Sequence, residues 1–351
     1  MNKGTRCLYE NLAKLTQSLD VRVLHKEPLT CTFTPRIRSV QIGHAVPSNL
    51  WRSLALPVYL ARTKPTFVHF PWNGRVPRLL RGTKIIVTLH DVLPLMIPNY
   101  FPSKKVEESY RDRVQADIDR SDLLLTISNF SKREILRNFR VQAEPIVVYY
   151  APTIQTNGKL DYFNKDQQDY FLYVGGYDKR KGIESLLKVF ITLHEQQNLQ
   201  SKLLLVGNPV HYSKEFKQLI DAGFRANAVE ERGFVPDSGL AKLYANAKAL
   251  VYPSKFEGFG LPPLEAMASG CPVVTTKYTA IPEICGDAVY YVDPDDKEAF
   301  AHSLIKLDSD QGLREKLARR GLKQAGKFSW NESSRVFLDE LEKLETGTCT
   351  N

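Results

Sequence analysis

Two glutamates eight positions apart, Glu257 and Glu265, lie in the stretch of this chain best suited to chemistry, Pro253 to Thr275. An apolar run, Ala249–Tyr252, leads into it, and a second, Pro272–Thr276, leads out. Between them the loop Phe256–Leu261 carries Gly258 and Gly260, and a helix is expected to start near Pro262. Glycine lets a backbone approach a ligand closely, and a helix start offers free N–H groups to an anion. Glu265, about one turn into that helix, can accept two hydroxyl hydrogen bonds at once, which suits the vicinal pair of a ribose. The pattern points to a nucleotide-sugar pocket. A plain strand–helix turn, with Glu265 only favouring the helix dipole, fits the same residues.

His90 is a second candidate. It follows the apolar run Ile85–Leu89 and precedes Asp91, where a doubly wound sheet exposes functional side chains. A structural histidine fits there equally well, and His69, which ends another apolar run, ranks next. Two runs match a bare D-x-D pattern. Asp117-Ile-Asp119 falls inside an expected helix, and Asp293-Pro-Asp-Asp296 reads as a turn and helix cap, so no metal site is assigned.

The elements that position these residues alternate between short apolar runs and longer helical patterns, which indicates α/β architecture with parallel sheets. Strands are expected at Val21–His25, Phe67–Phe70, Lys84–His90, Asp122–Ser128 and Pro145–Tyr150. Helices are expected at Tyr9–Leu19, Ser103–Arg120 and Asn129–Phe139, with Ser128 and Asn129 as helix-starting residues and Ser131 followed three positions later by Glu134. The polar stretch Pro152–Gln168 reads as a linker. Six strands follow, at Tyr170–Gly175, Lys202–Val206, Val229–Phe234, Ala249–Pro253, Pro272–Thr276 and Ala288–Val292, alternating with helices and ending in Trp330–Leu344. Residues 1–160, 161–328 and 329–351 are therefore read as a first Rossmann-like domain, a second one that binds the nucleotide, and a closing helix that crosses back.

At 351 residues two domains are the expected arrangement, and 43% apolar with 25% charged residues fits a globular protein. No apolar run is long enough to cross a membrane, and five scattered cysteines without metal spacing indicate reduced thiols in a cytoplasmic protein. The net charge of +9 is lopsided: through residue 160 there are 24 Lys and Arg against 12 Asp and Glu. A solvated basic face accounts for this, and so does an anionic membrane surface. Nucleic acid is not expected, since no aromatic-interleaved basic motif, zinc finger or helix-turn-helix pattern is present.

The Glu257–Glu265 segment resembles the E-x7-E signature of the retaining GT-B glycosyltransferases of family 4. Tyr173-Val-Gly-Gly176, Arg180-Lys-Gly182, Leu204-Leu-Val-Gly207, Gly233-Phe-Val-Pro-Asp237, Leu243–Ala247, Ile281-Pro-Glu283 and Phe328-Ser-Trp330 extend the resemblance in the family's order. Thr88–Asp91 and Thr126–Ser131 carry it more loosely into the first half. The resemblance implies two Rossmann-like domains facing across a cleft. It also implies that Glu265 holds the donor ribose. Glu257 with Gly258, Phe259, Gly260 and Leu261 would meet the donor sugar, and Gly175 and Gly176 would line the donor site. The backbone near Phe234 and Val235 would meet the base, and His90 would reach the sugar from the first domain. Arg180 and Lys181 would neutralise the leaving diphosphate, a point charge beside a bidentate fork, so that neither a metal nor any other cofactor is expected. Without the family context, the pair reads as two exposed charges before a helix.

Glu257 and Glu265 are not read as the pair of a retaining hydrolase, which needs carboxyl groups about 5–5.5 Å apart around the bond. The resemblance implies retention by front-face attack instead, with the donor's own phosphate oxygen taking the acceptor proton. The Arg180-Lys181 arrangement resembles the bacterial mannosyltransferase branch, which implies GDP-mannose as donor and a lipid-linked glycan acceptor at the inner membrane face. A catalytically impaired scaffold, a UDP-sugar-using transferase of the family and a GT-B epimerase are the alternatives. Two departures stand out. Gly4-Thr-Arg6 resembles the end of a turn that in the family follows a buried first strand, which is missing here. A start upstream of Met1 or a weakly stable first domain is expected from that. Tyr149-Tyr-Ala-Pro152 replaces a common Pro-Asn-Gly turn.

Overall fold

A computed structural model describes residues 3–27, 33–47, 50–71, 76–77, 82–154, 169–207 and 213–347. The chain divides into two compact units, residues 1–150 with 329–351, and residues 151–328. Most of the expected linker, 155–168, lies outside the described residues, as do Cys31 and Cys349.

In the first unit, helix α1 (Lys3–Leu15) precedes the parallel pair β1 (Val21–His25) and β2 (Ile37–Gln41). A π-helical turn, Trp51–Ala55, runs into α2 (Leu56–Thr63). Strands β3 (Phe67–Phe70), β4 (Lys84–Thr88), β5 (Leu123–Thr126) and β6 (Ile146–Val147) then form a parallel sheet in that order. Residues Ile85–Thr88 of β4 are all buried, as a central strand covered on both faces requires. Among the described residues no strand joins the β1–β2 sheet to the β3–β6 sheet. Strand β2 and helix α2 escape the sequence patterns, because arginines interrupt the one and a proline sits at the start of the other.

Helix α3 (Lys104–Asp119) is capped by Ser103, whose side chain accepts from the Val106 N–H. Helix α4 (Asn129–Asn138) is capped by Ser128 accepting from Ser131 N at 3.0 Å. Ser128, one of the expected helix-starting residues, is thus the cap, while Ser131 and Glu134 lie inside the helix. The closing helix Trp330–Thr346 packs on α1 and the sheet through Phe337, Leu341, Leu344, Leu8, Leu12 and Ile86.

The second unit is one six-stranded parallel sheet. Its strands are β7 (Tyr170–Val174), β8 (Lys202–Val206), β9 (Val229–Gly233), β10 (Ala249–Tyr252), β11 (Val273–Thr275) and β12 (Tyr290–Tyr291). Their spatial order is β12-β11-β10-β7-β8-β9. The winding reverses between β7 and β10, which puts the topological switch point at the carboxyl ends of those two strands. Helices α5 (Ile183–Glu195) and α6 (Lys214–Arg225) pack with the sheet in one core that includes Phe171, Tyr173, Phe190 and Leu205, and α7 (Asp237–Asn246) links β9 to β10. Asp296 caps the helix Lys297–Ser309 through the Ala299 N–H at 2.9 Å, as the sequence pattern implies.

Candidate active site

The loops that leave β7 and β10 are stitched together at the switch point. A 3₁₀ turn, Lys179–Lys181, follows β7, and Gly182 starts α5. Lys255 N donates to Arg180 O at 2.9 Å, and the Ser254 hydroxyl lies 3.3 Å from the same oxygen. Gly182 has φ +69°, and a Cβ there would lie 2.2 Å from the carbonyl oxygen of Pro253. Only glycine lets the two loops approach this closely.

Glu257 is the hub. Its Oε1 accepts from Lys181 Nζ at 2.6 Å, Ser254 Oγ at 2.6 Å and the Tyr252 hydroxyl at 2.8 Å. Arg180 lies 3.7 Å from the same oxygen and donates to Phe256 O at 3.0 Å. Every side-chain hydrogen bond of Glu257 to the described residues converges on Oε1, leaving Oε2 available to a ligand hydroxyl. Burial by itself raises the Glu257 pKa. The Lys181 and Arg180 charges, with the bonds from Lys181 and Ser254, outweigh it and hold the carboxyl below its usual range. Lys181 is only 11% exposed at its side chain, so the reading of two solvated charges fails for this residue.

Tyr252, Ser254 and Thr279 complete the cluster and were not singled out in the sequence. Tyr252 is fully buried; its hydroxyl accepts from Lys181 Nζ at 2.7 Å while the ring lies 5.1 Å beneath that ammonium. Thr279 Oγ1 accepts from Glu257 N at 2.9 Å. Ser254, three positions before Glu257, has a local spacing that could have flagged it. Tyr252 merely closes an apolar strand, and Thr279 is 22 residues away in sequence. Tyr252→Phe is expected to cost roughly 1–2 kcal/mol, because a buried ion pair loses one hydrogen-bonding bridge. A denaturation midpoint and donor turnover measured together check this: turnover should fall while the fold persists.

Helix α8 (Leu261–Ala268) carries Glu265, which is 5% exposed. Its Oε1 accepts from the Thr153 hydroxyl, a partner 112 residues away. The neighbouring Tyr244 hydroxyl is driven well above its ordinary pKa, first by burial and then by the Glu265 charge. The amino end of α8 differs from expectation. Its first four residues are Leu261, Pro262, Pro263 and Leu264. Two of these have no N–H, and Leu264 N is already bonded to Gly260 O at 3.3 Å. Among the described residues the helix start is left with the N–H groups of its cap, Gly260, and of Leu261, and the helix dipole acts mainly through its field. Gly260 is likewise fixed by packing rather than by ligand approach. It has φ +104°, and a Cβ would meet Ile281 Cδ1 at 2.6 Å.

The other expected donor-site residues lie at the same end of the sheet. Gly175 and Gly176 follow β7, and the Tyr173 hydroxyl donates to Gly176 O at 2.6 Å. Phe234 and Val235 follow β9, with Phe234 74% exposed. Phe259 turns its side chain into the interior, edge-on to Phe328 at 6.1 Å, so only its backbone can serve a ligand.

His90 belongs to the first unit, directly after β4. Its Nε2 is 2.6 Å from the Tyr150 hydroxyl, and desolvation lowers its pKa from 6.5 to about 4. His69 bridges the Tyr9 hydroxyl and Thr88 Oγ1, at 2.7 Å each, and burial lowers its pKa to about 3. Both are neutral when folded but take up a proton at pH 6.5 when unfolded. Stability of this unit is thus complete above pH 6.5 and lost as pH falls toward 4. For His90 the loss is on the order of 3 kcal/mol. Melting followed from pH 7.5 to 4.5 should show the fall, and His90→Gln should remove the share due to His90 while leaving that of His69.

Two family models match the chain: Glycosyltransferase Family 4 over residues 8–152 and Glycosyl transferases group 1 over residues 159–324. The chain is 35% identical over 290 residues to O-antigen chain mannosyltransferase B of Escherichia coli, covering 80% of this chain and 75% of that one. It is 31% identical over 232 residues to O-antigen chain mannosyltransferase RfbU of Salmonella typhimurium, covering 66% and 62%. Among solved structures it is similar to sucrose-phosphate synthase from Thermosynechococcus elongatus, with a TM-score of 0.75, 21% identity and coverage of 98% and 93%.

Proposed function

Because this chain belongs to the glycosyl transferases of group 1 and family 4, which have the GT-B fold, we propose that it transfers mannose from GDP-mannose to a growing, lipid-linked glycan in surface-polysaccharide synthesis. The observation that carries the chemistry is the buried Glu257–Lys181–Arg180 cluster at the switch point of the second unit. The similarity to two O-antigen mannosyltransferases supports the sugar and the pathway.

In this reading the bond between the anomeric carbon and the β-phosphate oxygen breaks, and its electron pair moves onto the diphosphate. Arg180 and Lys181 stabilise that charge as it develops, and no divalent metal takes part. The acceptor hydroxyl attacks from the face the diphosphate leaves, and its proton passes to a phosphate oxygen, so configuration is retained. Glu257 Oε2 takes a sugar hydroxyl, while Lys181 keeps its carboxylate charged. Glu265 binds the ribose hydroxyls, a role supported by the hydroxyl it already accepts from Thr153. The Phe234–Val235 loop meets the base, and His90, neutral at physiological pH, donates or accepts one hydrogen bond to the sugar.

The donor contributes no cofactor beyond itself, and nucleic acid has no part. No helix among the described residues is long and apolar enough to cross a membrane. A peripheral position at the cytoplasmic face suits the basic first half and a lipid-linked acceptor. Thermal shift against GDP-, UDP- and dTDP-sugars tests the donor, since selective binding stabilises the fold. Selective stabilisation by GDP-mannose is expected; a shift with UDP-sugars alone rejects the mannose assignment. NMR of the product tests the stereochemistry, and an inverted linkage rejects front-face attack.

A further inference from the structure

The π-helical turn and α2 present an exposed apolar stripe that the donor chemistry does not use. Leu50, Leu54 and Val58, spaced four residues apart, are 42%, 52% and 52% exposed. Arg62 continues the same spacing and is exposed. The opposite face is firmly seated. Leu56 and Leu60 are buried with Ile42, against Leu24, Val40, Val68 and Phe70. Trp51 Nε1 donates to Ile42 O at 2.7 Å, and a Cβ on Gly43 would sit 2.5 Å from Ala55 Cβ. The helix is therefore held rigidly by one face while the apolar stripe points away from the unit.

The charge around it has one sign. From Pro28 to His90 the sequence contains no Asp or Glu and nine Lys and Arg. Arg52, Arg62 and Lys64 flank the stripe, are all exposed, and form no ion pair with the described residues. Helix α3 is of mixed sign, carrying Lys104, Lys105, Arg111 and Arg113 with Glu107, Glu108, Asp112, Asp117 and Asp119. Asp117 titrates above its ordinary value because it is buried, although Arg120, Arg113 and Arg52 all act to lower it. An apolar stripe flanked by Arg52, Arg62 and Lys64, none of them ion-paired with the described residues, suits an anionic lipid surface, where the stripe enters the acyl boundary and the cations meet the headgroups.

We propose that Leu50, Leu54 and Val58, with Arg52, Arg62 and Lys64, dock the first unit on an anionic bilayer. The proposal deepens the membrane-side reading of the acceptor and is independent of which sugar is transferred. Each cation brought to an anionic surface strengthens partitioning by roughly fivefold. The contact should therefore weaken with salt, as it also depends on charges exposed to solvent.

The test is flotation of the full chain with phosphatidylcholine vesicles, with and without phosphatidylglycerol. Binding to the anionic vesicles at low salt, lost at high salt and absent from neutral vesicles, is expected. Leu54→Ser with Val58→Ser should reduce binding at least tenfold, and Arg52→Glu with Arg62→Glu should abolish it. GDP-mannose hydrolysis and melting, measured on the same samples, should be unchanged, which separates failure of docking from failure of the donor reading. The proposal is overturned if the native chain ignores anionic vesicles, or if either double variant binds as tightly as the native chain. It is also overturned if sedimentation shows a dimer that Leu54→Ser with Val58→Ser dissolves, since the stripe would then cover a second copy.

Discussion

Replacing Lys181 by alanine should cost about 3–5 kcal/mol, because it leaves the buried Glu257 carboxylate with an uncompensated charge. Lys181 Nζ is 2.6 Å from Glu257 Oε1, and both side chains are about nine-tenths buried. Arg180, at 3.7 Å from the same oxygen, is already engaged with Phe256 O and Asp178. In the proposed reaction the same change removes a cation from the leaving diphosphate, for which a turnover loss of about 10²–10³-fold is expected. The double variant Lys181→Ala, Glu257→Gln separates the two effects. It should recover most of the stability, since no charge is left buried, and none of the turnover. Urea denaturation of the three proteins, paired with donor hydrolysis, reads both quantities. A Lys181→Ala protein as stable as the parent would show that the ion pair is solvated and that Glu257 needs no partner.

Gly182→Ala should be comparably damaging through the backbone alone. An alanine at φ +69° is strained, and its Cβ would meet a main-chain carbonyl at 2.2 Å, which cannot rotate away as a side chain can. Together these effects should cost roughly 2–5 kcal/mol. Relief requires the Lys179–Lys181 turn to separate from Pro253, pulling Lys181 from Glu257, so donor affinity should fall with stability. Gly233→Ala is the matched control. Its φ of +61° is similar, but a Cβ there meets nothing within 4 Å. It should lose only about 1–2 kcal/mol of conformational strain. Equal loss in the two variants would mean that strain, rather than the close approach of the two loops, governs the site.

Much of the second unit was legible in advance because its strands are short, uninterrupted apolar runs, the pattern of a parallel sheet buried on both faces. Lys202–Val206 matches its expected bounds, and β7, β9 and β10 differ only at their last residue. The first unit was harder to read. Strand β2 (Ile-Arg-Ser-Val-Gln) lies at the sheet margin and alternates with exposed side chains, so it lacks that signature. The motif residues of the candidate site were also readable, since Glu257 sits in a loop, Arg180 and Lys181 in a turn and Glu265 in a short helix, all marked by neighbouring glycines and prolines.

The sequence alone settled the family pattern, the parallel α/β winding and the residues that flank the switch point. These follow from local composition and spacing, which a linear chain displays directly. Tertiary structure alone decided how those residues are tied together. Lys181 and Glu257 are 76 residues apart, Thr153 and Glu265 are 112 apart, and Tyr252 bridges the first pair from a strand that looked purely structural. Burial then fixes the sign of each charge effect, because the same carboxylate that would be ordinary in water depends in the interior on the cation packed against it. The donors at the start of α8 show the reverse limit. The prolines were visible in the sequence, but only the observed helix start at Leu261 shows that they remove two of the amide groups an anion would use.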